Sequence, residues 1–199
     1  DGDMVYVYPG DYGVYQGSMT LKEGIRLQGA GPLATVFNNG SMQIDMARNS
    51  MLDGFGGYMK VNCADGHAIV SNNLIRKGIY AGQVDTIIRN NVITYNYPLL
   101  MGGAAKVTIE NNTFANMSTA IMLIYATSET RIYLKNNIIA NNSIGVSDMY
   151  DTSHQHIFPS FNIYWNNTKN FEGNFNVMGA GDINADPQFV DLTNNDFHL

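Results

Sequence analysis

Of 199 residues only one, Cys63, is a cysteine. A single thiol closes no internal disulfide and builds none of the multi-cysteine zinc sites. It reads as a small buried hydrophobe. Charge is scarce as well: 14% of residues are charged, where about a quarter is usual. Basic residues are the scarcer kind, 11 against 17 acidic, for a net charge of −6 and a pI near 5.0. That balance excludes a nucleic-acid partner, which needs a basic stripe. It also works against a strongly anionic polysaccharide, unless calcium or a local Lys/Arg cluster intervenes. No apolar run approaches the ~18 residues of a membrane span; the longest, Ala120 to Ala126, is strand-sized. No helical period persists for even about ten residues. There is no initiator Met and no signal segment, so the opening at Asp1 reads as a trimmed part of a longer chain, folded as one domain over 1–199.

What fills the space is asparagine, 25 residues of it, beside 20 glycines. With 45% hydrophobic residues, 12 Tyr and 9 Phe, the chain has the makings of a packed core and lacks the composition of a disordered one. The asparagines recur in one phrase. "AIVSNNLIRK" (68–77), "TIIRNNVITYN" (86–96), "VTIENNTFAN" (107–116) and "IYLKNNIIAN" (132–141) are copies, and "IFPSFNIYWNN" (157–167) is a worn one. A phrase returning at about 20–30 residues marks a repeat architecture. Its uneven spacing means that one part of each unit is fixed and another lengthens. Each unit parses as a strand, an Asn-Asn corner, a second strand, a loop, a third strand and a loop. Stacked at the ~4.8 Å strand spacing, such units make an all-β, right-handed parallel β-helix of seven to eight coils. Asparagine suits the corner because it tolerates the left-handed backbone better than other non-glycine residues. Its amide also donates and accepts. The pairs Asn72/Asn73, Asn90/Asn91, Asn111/Asn112 and Asn136/Asn137 are therefore expected to stack as a hydrogen-bonded ladder.

Three further stretches support this reading. "GDMVYVYPGDYGVYQGSMTLKEGIRLQGAGPLATVF" (2–37), "MLDGFGGY" (51–58) and "NIYWNN" with "DINADPQFVDLTNNDFHL" (162–167 and 182–199) together with the repeats make the chain resemble right-handed parallel β-helix proteins of the pectate-lyase-like superfamily. In that family the Asp-Pro-x-Phe-Val phrase precedes the last strand, and the solenoid ends are commonly covered. The resemblance therefore implies contacts at the open ends here. It also implies a secreted or cell-surface location and a sugar-binding groove along one parallel sheet.

On that sheet the residues pointing outward are expected to include Lys60, Tyr80, Tyr125, Asp148 and Tyr150, with His67, Asp85, Asp151, His154 and His156 in flanking loops. Lys60, Asp148, Asp151 and His154 are the catalytic candidates. Tyr80, Tyr125 and Tyr150, as a stacking strip, and His67 are the sugar-binding candidates. His154 and His156 alternate as strand neighbours do, which fits a metal pair with Asp151 as well as a polar insertion loop. A glycosidase needs paired carboxylates, and a lyase needs a neutralised uronate and a base, with calcium as the ion it would add. No tight acidic cluster meets either demand. Two readings stand: a carbohydrate-binding β-helix module without catalysis, or a polysaccharide lyase or glycoside hydrolase. Four Asn-x-Ser/Thr sequons, starting at Asn111, Asn116, Asn141 and Asn166, follow from asparagine abundance.

Overall fold

The computed structural model describes residues 2–13, 16–63, 66–82, 85–95, 97–103, 106–148, 156–173, 178–194 and 196–199. The chain winds as a parallel β-helix with three faces. The first face is an eight-stranded sheet: Met4–Val7, Arg26–Gly29, Met51–Asp53, Ala68–Ser71, Thr86–Arg89, Lys106–Glu110, Arg131–Lys135 and Ile157–Ser160. These eight passes define eight coils, or seven full turns from first to last. The second face follows the asparagine corner, with strands such as Leu74–Ile75, Val92–Thr94, Thr113–Ala115, Ile138–Ala140 and Ile163–Trp165. The third carries Gln16–Thr20, Ile79–Ala81, Leu99–Met101, Thr119–Leu123, Ile144–Asp148 and Lys169–Gly173. In coils two and three, Thr35–Asp45 and Gly56–Cys63 run through from second face to third as single long strands.

Alternation builds the core. On the first face Leu27, Leu52, Val70, Ile88, Ile109 and Leu134 align in register and point inward. On the second, Ile75, Ile93, Phe114, Ile139 and Tyr164 do the same. On the third the column is Ile44, Val61, Ile79, Leu99, Ile121 and Val146. All are buried. Each apolar side chain therefore packs on its counterpart one coil away, which is how a narrow column excludes water.

The asparagine pair divides its work. The first member turns: Asn72, Asn90, Asn111 and Asn136 have φ of 55°, 55°, 56° and 55°. The second member builds the ladder. The backbone N–H and the side-chain Nδ2 of Asn91 both donate to Oδ1 of Asn112, at 2.9 and 3.0 Å. The remaining Nδ2 proton reaches Val70 O at 2.9 Å and Arg89 O at 2.9 Å. The same pattern runs from Asn73 through Asn137 and Asn162, and it ends on the carboxylate of Asp182. The expectation that both asparagines stack is thus corrected: the first is a corner residue, the second a rung. Coil eight shows the separation, since Phe161 takes the corner at φ 56° while Asn162 keeps the rung.

A second ladder lies where the second face turns into the third. In coils six to eight Asn116, Asn141 and Asn166 turn with φ of 60°, 58° and 49°. Their amides bond one another at 2.6 and 2.8 Å. Inside them, Met117 N donates to Asn142 Oδ1, and Asn142 to Asn167 Oδ1. With Asn111 turning the first corner, all four sequons begin at corner residues. The C-terminal end departs from expectation too. "DFHL" adds no coil. Asp191 and Asp196 form an antiparallel bridge, Phe189 and Phe197 meet edge to face at 5.4 Å, and Asn116 Nδ2 reaches Leu192 O at 3.5 Å. This hairpin folds back over the second face, where Phe197 and His198 share a cleft with Leu33, Leu74 and Val92.

Candidate functional site

One corner differs from the rest in what it displays. Where the second face turns into the third, coils three to five stack Tyr58, then Arg76 and Lys77, then Tyr95 and Tyr97. Backbone bonds set this arrangement: Arg76 N donates to Gly57 O and Lys77 N to Met59 O, each at 3.1 Å. The Arg76 guanidinium lies 5.5 Å from the centre of the Tyr58 ring, a cation–π contact. Tyr58 meets Tyr95 edge to face at 5.8 Å. Beside them a shallow cleft of about 240 Å³ is lined by Ser41, Lys60, Lys77, Gly78, Ile79, Tyr80, Tyr97, Pro98 and Leu100. Among the described residues no carboxylate lines it. Its flat floor has a local cause, for Gly78 and Pro98 carry little side chain where Lys60 stands in coil three.

Tyr95 occupies a special slot. By register, Thr94 pairs with Ala115, Ala115 with Ala140 and Ala140 with Trp165. The next residue in each coil is Tyr95, Asn116, Asn141 or Asn166. Coil five thus puts a tyrosine, at φ 84°, where its successors put asparagine. A bulky residue with positive φ is strained. The ring it displays is half exposed, at 48%, and that of Tyr97 is 54% exposed. Both offer area to a ligand.

The sequence candidates are scattered by comparison. Lys60 and Tyr80 meet in the cleft. Tyr80 stands in a column that runs Asp45, Asn62, Tyr80, Leu100, Met122 and Ser147, and Tyr125 lies beyond the end of Thr119–Leu123, so these two tyrosines form no strip. His67 sits at the opposite corner, 3.9 Å from Asp85. Asp148 was expected to point outward. It falls instead in the inward column of Cys63, Ala81, Met101 and Leu123 and is 3% exposed. His156 is 1% exposed, so it is not poised as a loop ligand. Tyr150, Asp151 and His154 lie outside the described residues. Sequence reasoning passed over Tyr58, Tyr95, Tyr97 and Lys77. The available signal was the tyrosine of "VITYNYP" standing where later copies have asparagine.

Among the described residues no three His, Cys, Asp or Glu side chains converge, which leaves calcium without support. Cys63 is fully buried, and burial pushes its thiol up to about 12, so the thiolate a soft metal needs is not available. Met59 and Met101 are sealed in the same core. Cys63 is expected to resist an aromatic disulfide reagent in the native protein and to react only at the rate of unfolding. Prompt labelling under native conditions would contradict the burial.

Residues 1–180 match the family model described as "Periplasmic copper-binding protein (NosD)". No curated protein and no solved structure matches the chain. Among the described residues no helix is long and apolar enough to cross a membrane.

Proposed function

The chain belongs to the NosD family, and on that footing we propose that it is a non-catalytic glycan-binding module working outside the cytoplasm. The family's description as periplasmic agrees with such a location. The ligand in this reading is an extended acidic polysaccharide lying across coils three to five. One observation carries it: Lys60, Arg76 and Lys77 gather with Tyr58, Tyr80, Tyr95 and Tyr97 at one corner, on a chain whose net charge is −6. Open tyrosine rings stack on the apolar faces of sugars. The cations meet carboxylates, and their clustering gives a local field opposite to that of the whole molecule. This is the local cluster that an anionic polysaccharide required.

Catalysis is not part of the reading. A glycosidase needs two carboxylates facing the bond it cleaves, and among the described residues none lines this cleft. The description names copper, but among the described residues the donors do not fit it: no three His, Cys, Asp or Glu side chains converge, the thiol is protonated and enclosed, and the exposed His67 has one carboxylate neighbour.

The test is titration calorimetry with polygalacturonate and with a neutral glucan at low and high salt. Binding is expected for the polyuronate, weakening with salt as screened charges require. The Lys60→Glu/Lys77→Glu double variant is expected to lose about tenfold or more in affinity, roughly 1.4 kcal/mol. Tyr97→Ala is expected to weaken it further. Equal affinity in the double variant, or the appearance of unsaturated product or new reducing ends, would overturn the proposal.

A further inference from the structure

A second surface lies on the first face, away from the glycan cleft. The solvent side of a half-buried sheet is ordinarily polar. Here its central column reads Ile69, Ile87, Thr108, Tyr133, Phe158 in register. Ile87 and Tyr133 are exposed, and Ile69 and Phe158 half-buried. Around the column stand Arg89, Lys106, Arg131 and Lys135, against Glu110 and Asp85. Four of the chain's 11 basic residues thus crowd one patch of an acidic protein. At its upper end the column opens into a cleft of about 290 Å³, floored by Ile69 and Ile87 and edged by His67, Asp85 and Lys106.

The rings decide what this patch fits. Tyr133 stacks on Phe158 with centroids 5.5 Å apart and planes at 25°. Lys106 Nζ lies 5.8 Å from the centre of the same Tyr133 ring. Phe158 belongs to the coil after Tyr133 and Lys106 to the coil before it, so both ring faces are occupied. Neither face of the Tyr133 ring is left as an open platform for a sugar. An aliphatic floor, a cleft sized for one large side chain and a charged rim are instead the anatomy of a protein interface.

We propose that the first face docks an acidic protein segment. One aromatic or aliphatic side chain of the segment sits in the cleft over Ile69 and Ile87, and its carboxylates meet Lys106, Arg131 and Lys135. Charge complementarity of this kind sets orientation and encounter rate.

The probe is a fluorescein-labelled peptide of alternating glutamate and phenylalanine, titrated with the 199-residue chain and followed by anisotropy. Saturable binding is expected. Lys106→Glu/Lys135→Glu should weaken it about tenfold or more, while Lys22→Glu, an exposed charge reversal elsewhere, leaves it unchanged. Ile87→Asp should abolish it; if that variant unfolds, the lysine pair decides alone, because both side chains are exposed. Three results would overturn the proposal: no saturable binding, undiminished affinity in the lysine variant, or displacement of the peptide by polygalacturonate, which would make the patch a glycan site.

Discussion

Replacing Asn112 by alanine is expected to cost about 3–5 kcal/mol, far more than any change at its neighbour Asn111. The amide of Asn112 is buried. Its Oδ1 accepts two donors from Asn91, and its Nδ2 serves Asn137 Oδ1, Ile88 O and Glu110 O. Alanine leaves the Asn91 N–H without its acceptor and the Ile88 carbonyl without its donor. Each buried orphan costs about 1–3 kcal/mol. At about 2–4 °C per kcal/mol for a chain of this size, the midpoint of thermal unfolding should fall by roughly 10 °C. Asn111 is exposed and contributes mainly its φ of 56°. Asn111→Gly satisfies that conformation without strain and should lie within about 0.5 kcal/mol of wild type. Parallel melts of the two variants check the division, and equal losses would refute it.

Gly57→Ala is expected to be a severely damaging methyl insertion, at about 4 kcal/mol or more. Gly57 has φ +111°, and a Cβ there would stand 2.4 Å from Phe37 O and 2.9 Å from Phe37 N. Those are backbone atoms of the neighbouring long strand, paired with Gly57 itself, so no rotamer change relieves them. Gly31→Ala is the matched control. Its φ is +126°, yet nothing lies within 4 Å of the new carbon, so only backbone strain of about 1–3 kcal/mol remains. Soluble yield and denaturant midpoints separate the two. Similar losses would mean that strand proximity at Phe37 is not what fixes Gly57.

The architecture was legible because the strongest constraint repeats. A turn that needs a left-handed residue and a rung that needs an amide leave the same two letters in coil after coil. The worn copy at 157–167 could be read as the same unit because Asn162 persisted when the corner went to Phe161. The division of labour was not legible, because two adjacent asparagines look alike until one is seen to be buried. Nor was the second ladder, whose members had been taken for chance sequons. The candidate site was half legible. Lys60 and Tyr80 sit on strands whose alternation fixes their direction. Tyr58, Arg76, Lys77, Tyr95 and Tyr97 come together only when three coils of different length are stacked, and register between coils is not a property of any one of them. Asp148 misled for a simpler reason: alternation from Val146 places it inward, whatever its charge suggests.

The main ladder also has a direction. In every rung the oxygen faces the preceding coil, while the backbone N–H and one Nδ2 proton face the following one; the other Nδ2 proton returns to a carbonyl of the preceding coil. Five side-chain amides, Asn73 to Asn162, are therefore aligned head to tail along the solenoid axis, and their dipoles add as peptide dipoles do in an α-helix. The positive end of this row points at Asp182, whose Oδ1 takes both donors of Asn162 at 2.7 and 3.0 Å. A carboxylate thus stands where a capping anion stands at a helix N-terminus, and hydrogen bonds in such a chain polarise one another. The β-helix carries an axial polarity that its sheets alone would not give it, closed at one end by a fixed negative charge.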